Sequence, residues 1–345
     1  MLKRVFAVGI VAAAVIPFAV FAQDATPEAE MMMEPIELPA VDPLALSGDI
    51  IIAGSSTVFP LTEAVAQQFI DDGFGGEITI DSIGTGGGFE RFCEAAETDI
   101  ANASRSIRTG EGSETAACEA NGRPAIEFRV GTDALAVVVS AENDFVESLT
   151  ISQLAQIFSG AVTTWDQVDP SFPAERIQLF SPGSDSGTFD YFIEEVVATA
   201  FEGDDAADLA EAAVLNAPGI QLSEDDNVLV QGVEGSPYAI GYFGFAYYVE
   251  NSEGLNVVAV DAEEGDGPIV PDLETAENGT YPIARPLFIY SAAEVFAAKP
   301  QVAEFVNYYL TNVNEVIQDV GYFPASVEAL NEAKQNWLDA MGMGM

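Results

Sequence analysis

The sequence predicts an α/β protein of two lobes, and three observations carry that expectation. Three short apolar strands each run into a loop of Gly, Ser and Thr and then into an amphipathic helix. Two longer apolar strands, around Leu135 and Leu287, stand far apart in the chain, as two crossings between lobes require. Between an N-terminal leader with its linker and the short tail 341–345 lie about 290 residues, enough for two lobes of ordinary size.

Lys3 and Arg4 precede an apolar run from Val5 to Phe21, and Val20-Phe21-Ala22 offers small residues at cleavage spacing. Residues 1–22 read as a secretory signal peptide. Pro17 interrupts the run, which is short for a span, so a membrane anchor is the weaker reading. Residues 23–47, rich in Ala, Pro, Glu and Met and without a period, read as a flexible linker. The mature chain is expected beyond the inner membrane, periplasmic, extracellular or at the cell surface.

The chain carries 11 basic and 56 acidic residues, no histidine, and a net charge of −45, which becomes −47 once Lys3 and Arg4 leave with the leader. Such a balance argues against nucleic acid, acidic lipid and heparin as partners. It reads as a solvation strategy for salty or harsh surroundings.

The first junction is the strand Asp49–Ala53, then Gly54-Ser55-Ser56-Thr57-Val58, then a helix with Leu61, Ala64, Val65 and Phe69 on one face and Pro60 in its first turn. The second is Ile78–Ser82, then Ile83-Gly84-Thr85-Gly86-Gly87-Gly88, then a stripe of Phe89, Phe92, Cys93 and Ala96. The third is Ile177–Phe180, then Ser181–Thr188, then Phe189, Phe192, Ile193, Val196 and Val197. Small residues at a helix start leave backbone N–H groups uncovered at the positive end of the dipole, beside hydroxyl donors. That is a seat for an oxyanion. One such loop is better read as a turn with an N-cap; three that converge where strand ends meet helix starts describe a site. None has phosphate-loop spacing or a ribose-binding acid, so nucleotide binding fits poorly.

Cys93 and Cys118 are the only cysteines. In an exported chain a pair suggests a disulfide; the alternative is two reduced thiols. A bridge would clamp the segment Asp99–Arg105, where a strand ends on Ser104 and Arg105. Arg105 can hold two oxygens of a tetrahedral anion; its plainer role is a surface ion pair.

Ala134–Val139 is unbroken apolar strand, as expected of a buried parallel strand. Leu149–Phe158 reads as helix, 201–216 as a solvated helix, Ser223–Asn227 as a helix cap, and Tyr238–Val249 as a strand-rich core piece. Arg285–Tyr290 is the second buried strand, and the helices after it close the first lobe.

The motifs Gly54–Thr57, Gly84–Gly88, Asn102–Arg105, Ser184–Phe192 and Arg285–Tyr290 occur in an order that resembles the phosphate-binding subunit of ABC-type phosphate importers, over roughly residues 48 to 338. The resemblance implies a type II periplasmic-binding-protein fold, two doubly wound sheets joined by two crossing strands. It implies one lobe of 48–137 with 286–345, another of 138–285, and closure on inorganic phosphate for delivery to a membrane permease. Carried over by position, the phosphate ligands are Ser56, Thr57, Val58, Thr85, Ser104, Arg105, Ser186, Gly187 and Thr188. The sequence departs from the family in its charges: the third contact reads Ser104-Arg105 where an aspartate is usual, and no arginine precedes Ser186. Arg105 is therefore expected to neutralise the ligand, and Asp185 to accept the proton of hydrogen phosphate and so reject sulfate. No cofactor, metal or catalytic residue is expected, and the protein is expected to be a monomer. Without histidine, metal cluster or base beside Ser56 or Ser186, an enzyme is disfavoured. A binder of sulfate or molybdate, or a phosphate sensor or scavenger without a transporter, are the alternatives.

Overall fold

A computed structural model describes residues 34–344 except Asp185 and Asp204. The expected signal peptide and the first part of the linker, 23–33, lie outside the described residues, as does Asp185. Residues 35–345 form one compact unit.

In chain order the unit begins β1 (Ile50–Gly54), α1 (Phe59–Asp71), β2 (Ile78–Ser82), α2 (Gly84–Phe89), β3 (Ile100–Ala103), α3 (Glu114–Ala120) and the long β4 (Ile126–Ser140). It continues with β5 (Ser148–Thr150), α4 (Ile151–Phe158), α5 (Trp165–Val168), β6 (Gln178–Pro182), α6 (Gly187–Glu195), α7 (Ala206–Leu215), β7 (Gln221–Ser223) and α8 (Asp226–Glu234). Then come β8 (Ala239–Gly244), α9 (Phe245–Glu250), β9 (Leu255–Val257), β10 (Ala259–Asp261) and α10 (Leu273–Glu277). β11 (Ala284–Ser291), α11 (Ala293–Ala298), α12 (Pro300–Val316) and α13 (Val327–Ala340) complete it.

The strands run β2-β1-β3-β11-β4-β8-β6-β7, with β9 also on β4. β1 is parallel to β2 and β3, and β6 to β7 and β8, while β4 and β11 run antiparallel to each other and to the strands beside them. The expectation of a parallel strand at 134–139 is therefore corrected. Leu135, Val137 and Val139 enter one hydrophobic core while Ala134, Ala136 and Val138 enter another on the opposite face. The apolar run records burial on both faces, which a crossing strand has whatever its direction. Farther back on β4, Phe128 and Val130 belong to a different core, shared with α1, β11 and α12. The molecule thus has lobes with separate interiors, strung on β4 and β11.

Other elements differ locally from expectation. Gly84–Gly88 is not a loop but the first turns of α2, continued by a wider helical turn over Glu90–Glu94. Ala96 lies beyond that helix with φ 54°. The strand-rich piece 238–249 splits into β8 and α9, and α7 buries Ala210 and Val214. The linker is shorter than expected, because its second half is a packed strap. The Ile36 amide donates to Asn331 Oδ1 (2.7 Å), Lys334 Nζ and Asn307 Nδ2 donate to the carbonyls of Ile36 and Pro39, and Leu38, Val41 and Leu46 lie on the first core.

Side-chain caps fix helix starts. Thr150 and Gln153 form a reciprocal box at α4, and Asp225 caps α8, each contributing about 1 kcal/mol. Cys93 and Cys118 form a disulfide that ties the turn after α2 to α3. On the far side of the crossing strands, Glu277 of α10 accepts from Arg129 and Thr132 of β4 and from the amide of Ser326, which caps α13. Among the described residues, no helix is long and apolar enough to cross a membrane.

Reducing the disulfide, or replacing both cysteines with serine, is expected to lower stability by about 3 kcal/mol for a loop of this length; denaturant unfolding with and without reductant checks it, and superimposable curves refute it. Burial and the neighbouring Asp225 and Glu224 push the Asp226 carboxyl up to about 6. The folded state therefore holds the extra proton, and its contribution to stability, complete below the unfolded carboxyl range, is lost as pH rises through about 6. Asp226→Asn should stabilise the fold at neutral pH by roughly 1–2 kcal/mol and flatten its acid-side pH dependence, measured by unfolding across pH.

Candidate binding site

The parallel register aligns three strand ends: Gly54 of β1 stands opposite Ser82 of β2 and Asn102 of β3. The chain leaves all three at one edge, so the segments that follow share one side of the lobe. The Ser55 amide donates to the Asn102 carbonyl (3.0 Å), and Tyr322 OH to the Thr57 carbonyl (2.9 Å), which fixes the first loop. Gly88 brings α2 against that edge, since a Cβ there would stand 2.5 Å from Gly54 Cα. Thr85 then reaches Ser104: their hydroxyls are 3.2 Å apart and the Ser104 amide donates to Thr85 Oγ1 (3.2 Å).

These segments form one wall of a cavity of about 620 Å³. The opposite wall is α6 with the entry to β11. Ser56, Thr57, Thr85, Ser104 and Arg105 line it together. Val58 is not among the lining residues: its side chain is buried in the first core and its amide donates to Ser55 Oγ (3.4 Å). Ser186, Gly187 and Thr188 stand at the start of α6, where Ser186 Oγ accepts from the Thr188 amide (3.2 Å), and they are also absent from the lining. Gly187 closes the contact between walls, because a Cβ there would lie 3.0 Å from Thr57 Cα and 3.2 Å from its nitrogen.

Arg105 lines the cavity but is gripped from behind. Its two Nη atoms donate to the Glu114 oxygens at 2.9 and 2.6 Å, with the guanidinium 5.6 Å from the Phe89 ring. Burial alone would raise the Glu114 carboxyl, but the bonds from Arg105 and from the Arg108 amide outweigh it and hold the group below its ordinary range.

Two lining residues were not foreseen as ligands. Asp190, in the first turn of α6, accepts from Ser56 Oγ across the cavity (3.2 Å). Burial raises its carboxyl, opposed by the Ser56 hydroxyl and the Arg285 charge. Arg285 stands opposite Asp133 in the β4–β11 register, and its Nε donates to Asp133 Oδ2 at 3.1 Å. Its Nη2 donates to Thr57 Oγ1 and to the Gly187 carbonyl (3.3 Å), one on each wall, and Tyr191 lies flat beneath it at 3.5 Å. A signal for this pair does exist in the sequence. Asp133 and Arg285 are charged residues set in two apolar strands, where burial demands a partner. Among the described residues no group of His, Cys, Asp and Glu is arranged to hold a metal ion.

Residues 40–313 match the family model described as the PBP superfamily domain. A relative from Staphylococcus epidermidis named phosphate-binding protein PstS is 35% identical over 80% of this chain and 79% of its own length. The chain belongs to the PBP superfamily, among the phosphate-binding proteins. Protein SphX of Synechocystis is 42% identical over 86% of this chain and 84% of its own. A crystal structure from Planctomyces limnophilus, described as that of a possible phosphate binding protein, superimposes with a TM-score of 0.76 at 36% identity, covering 86% of this chain and 99% of the other. The two-lobed architecture strung on β4 and β11 is that family's α/β fold.

Gly187→Ala is expected to oppose the closed arrangement by about 1–3 kcal/mol, the usual cost of an extra methyl in a packed contact. Small-angle scattering would then report a larger radius of gyration than for the parent chain, and an unchanged radius would contradict the role of Gly187.

Proposed function

We propose that this chain binds inorganic phosphate between its lobes, outside the cytoplasmic membrane, and delivers it to the permease of an ABC importer. The observation that carries the proposal is the meeting of three aligned strand ends, rich in hydroxyl and backbone donors, with the start of α6 in one cavity that three arginines also line. Hydroxyls and N–H groups fixed in advance suit a tetraoxo anion. Ser56, Thr57, Thr85 and Ser104 are the donors of the first lobe; Ser186, Gly187 and Thr188 join from α6 as the lobes close further. Val58 supports the loop by packing. The first core on β4 ends at Val130 and the others begin at Ala134. The hinge is therefore taken to lie at 131–133 and 284–286, somewhat before the boundary at 137/138 suggested by the sequence.

Export through the leader 1–22, action as a monomer, and the absence of catalysis belong to the same proposal. Binding and release require no base or nucleophile, and a chain without histidine offers few. Rejection of sulfate requires an acceptor for the phosphate proton. Asp190 stands in the cavity wall; Asp185, the expected acceptor, precedes the α6 cap.

Calorimetry on the chain from residue 23 should show one phosphate bound per molecule, with sulfate weaker by at least tenfold, about 1.4 kcal/mol. Equal or tighter binding of sulfate or molybdate would move the function to that anion, and heat from none of them would remove the assignment. Asp190→Asn and Asp185→Asn, titrated in parallel, identify the acceptor as the position whose change abolishes the phosphate-over-sulfate preference.

A further inference from the structure

We propose that Arg285, held in place by Asp133, is a ligand-contacting cation of the cleft and the residue through which a bound anion draws the two lobes together. The inference rests on the phosphate reading and adds to it a charge from the hinge, whereas the expected ligands all come from loops.

Four observations point the same way. Arg285 lines the cavity although its side chain is only 10% exposed, and Asp133 behind it is wholly buried. Its donors are divided by direction: Nε goes to Asp133, Nη2 to Thr57 on one wall and Gly187 on the other, and among the described residues Nη1 takes no partner. The Tyr191 ring and Asp133 fix the plane of the guanidinium, so it meets an anion already oriented. Finally, Arg285 is joined in register to the strand that crosses between lobes, so a pull on its fork is felt at the hinge. Arg105 has a different setting, with both Nη atoms already on Glu114.

Asp133 is a positioning residue here. One of its oxygens serves Arg285, and the other is buried without a hydrogen-bond partner. The charges of the pair largely cancel at a distance, but the N–H groups of the fork still face the cavity, where water is scarce and charge-assisted bonds count for most.

The test compares the mature chain with Arg285→Lys, Arg285→Gln, the double change Arg285→Gln with Asp133→Asn, and Arg176→Gln, which removes a surface charge whose Nη2 meets the Pro218 carbonyl. Each is titrated with inorganic phosphate across the pH range in which phosphate loses its second proton, and each is melted without ligand. The double change keeps the interior neutral and stands in should Arg285→Gln not fold. Arg285→Gln and the double change should lose affinity roughly 10- to 100-fold, the size of a charge-assisted hydrogen bond. Arg285→Lys should lose less and keep the preference for the dianion, which Arg285→Gln should lose; a purely structural role would not produce that division. Retention of affinity within threefold of Arg176→Gln by the folded glutamine variants overturns the inference and leaves the phosphate reading standing. Failure of the parent chain to bind phosphate overturns both.

Discussion

The antiparallel pairing of β4 with β11 is the constraint from which the rest of the molecule follows. It is the one place where the chain passes from one hydrophobic interior to the other, and it does so on two hydrogen-bonded strands held in register. Two strands can bend and twist together but cannot slide without breaking their ladder, so the lobes are limited to a hinge motion. Arg285 and Asp133 occupy that ladder side by side, which puts a buried ion pair where the strands cross. Burying such a pair gives up hydration, and its attraction offsets that loss only when the geometry is good. Here Thr57, Gly187 and the Tyr191 ring complete the shell around the guanidinium. On the other side of the crossing, Glu277 joins β4 to α10 and to the cap of α13, bracing the strands from behind.

From that frame the two cavity walls obtain their positions by different means. The first wall is set by sheet register: parallel strands of matched length end together, and whatever follows them is brought together without any long-range side-chain contact. The second wall is one helix start, placed by β6 and by the fit of Gly187 against Thr57. A glycine is needed there because backbone meets backbone.

This difference explains what the sequence made legible. Strand-loop-helix junctions are local patterns, so Ser56, Thr57, Thr85 and Ser104 could be singled out by spacing, and the structure brings them to one cavity. Strand direction is not local. The apolar run at 134–139 records burial on two faces, and the partners that make it antiparallel lie in β8, β9 and β11. The Arg285–Asp133 pair spans 152 residues and falls in two strands recognisable only as apolar. The strap 35–47 reads as linker because it has no period; it is held instead by side chains of α12 and α13, nearly three hundred residues away. Gly84–Gly88 is helical despite poor intrinsic propensity, because packing of α2 on β1 leaves room for no side chain at Gly88.

The remaining tension is electrostatic. A chain of net charge −45 is proposed to attract an anion. Most of that charge is spread over the exterior, where salt screens it beyond about 8 Å. In the cavity wall the balance is different: Arg105, Arg108 and Arg285 face Asp190, Glu194 and Glu195. Those carboxylates and arginines respond oppositely to closure. Burial raises the carboxyls of Asp190 and Glu194, so both release their negative charge more readily. The arginines hold their protons, and their hydrogen bonds strengthen as water leaves. Closing the cleft therefore shifts the local field toward positive without moving a single charged residue into it, and the acidic exterior can keep the protein dispersed without deciding what the interior binds.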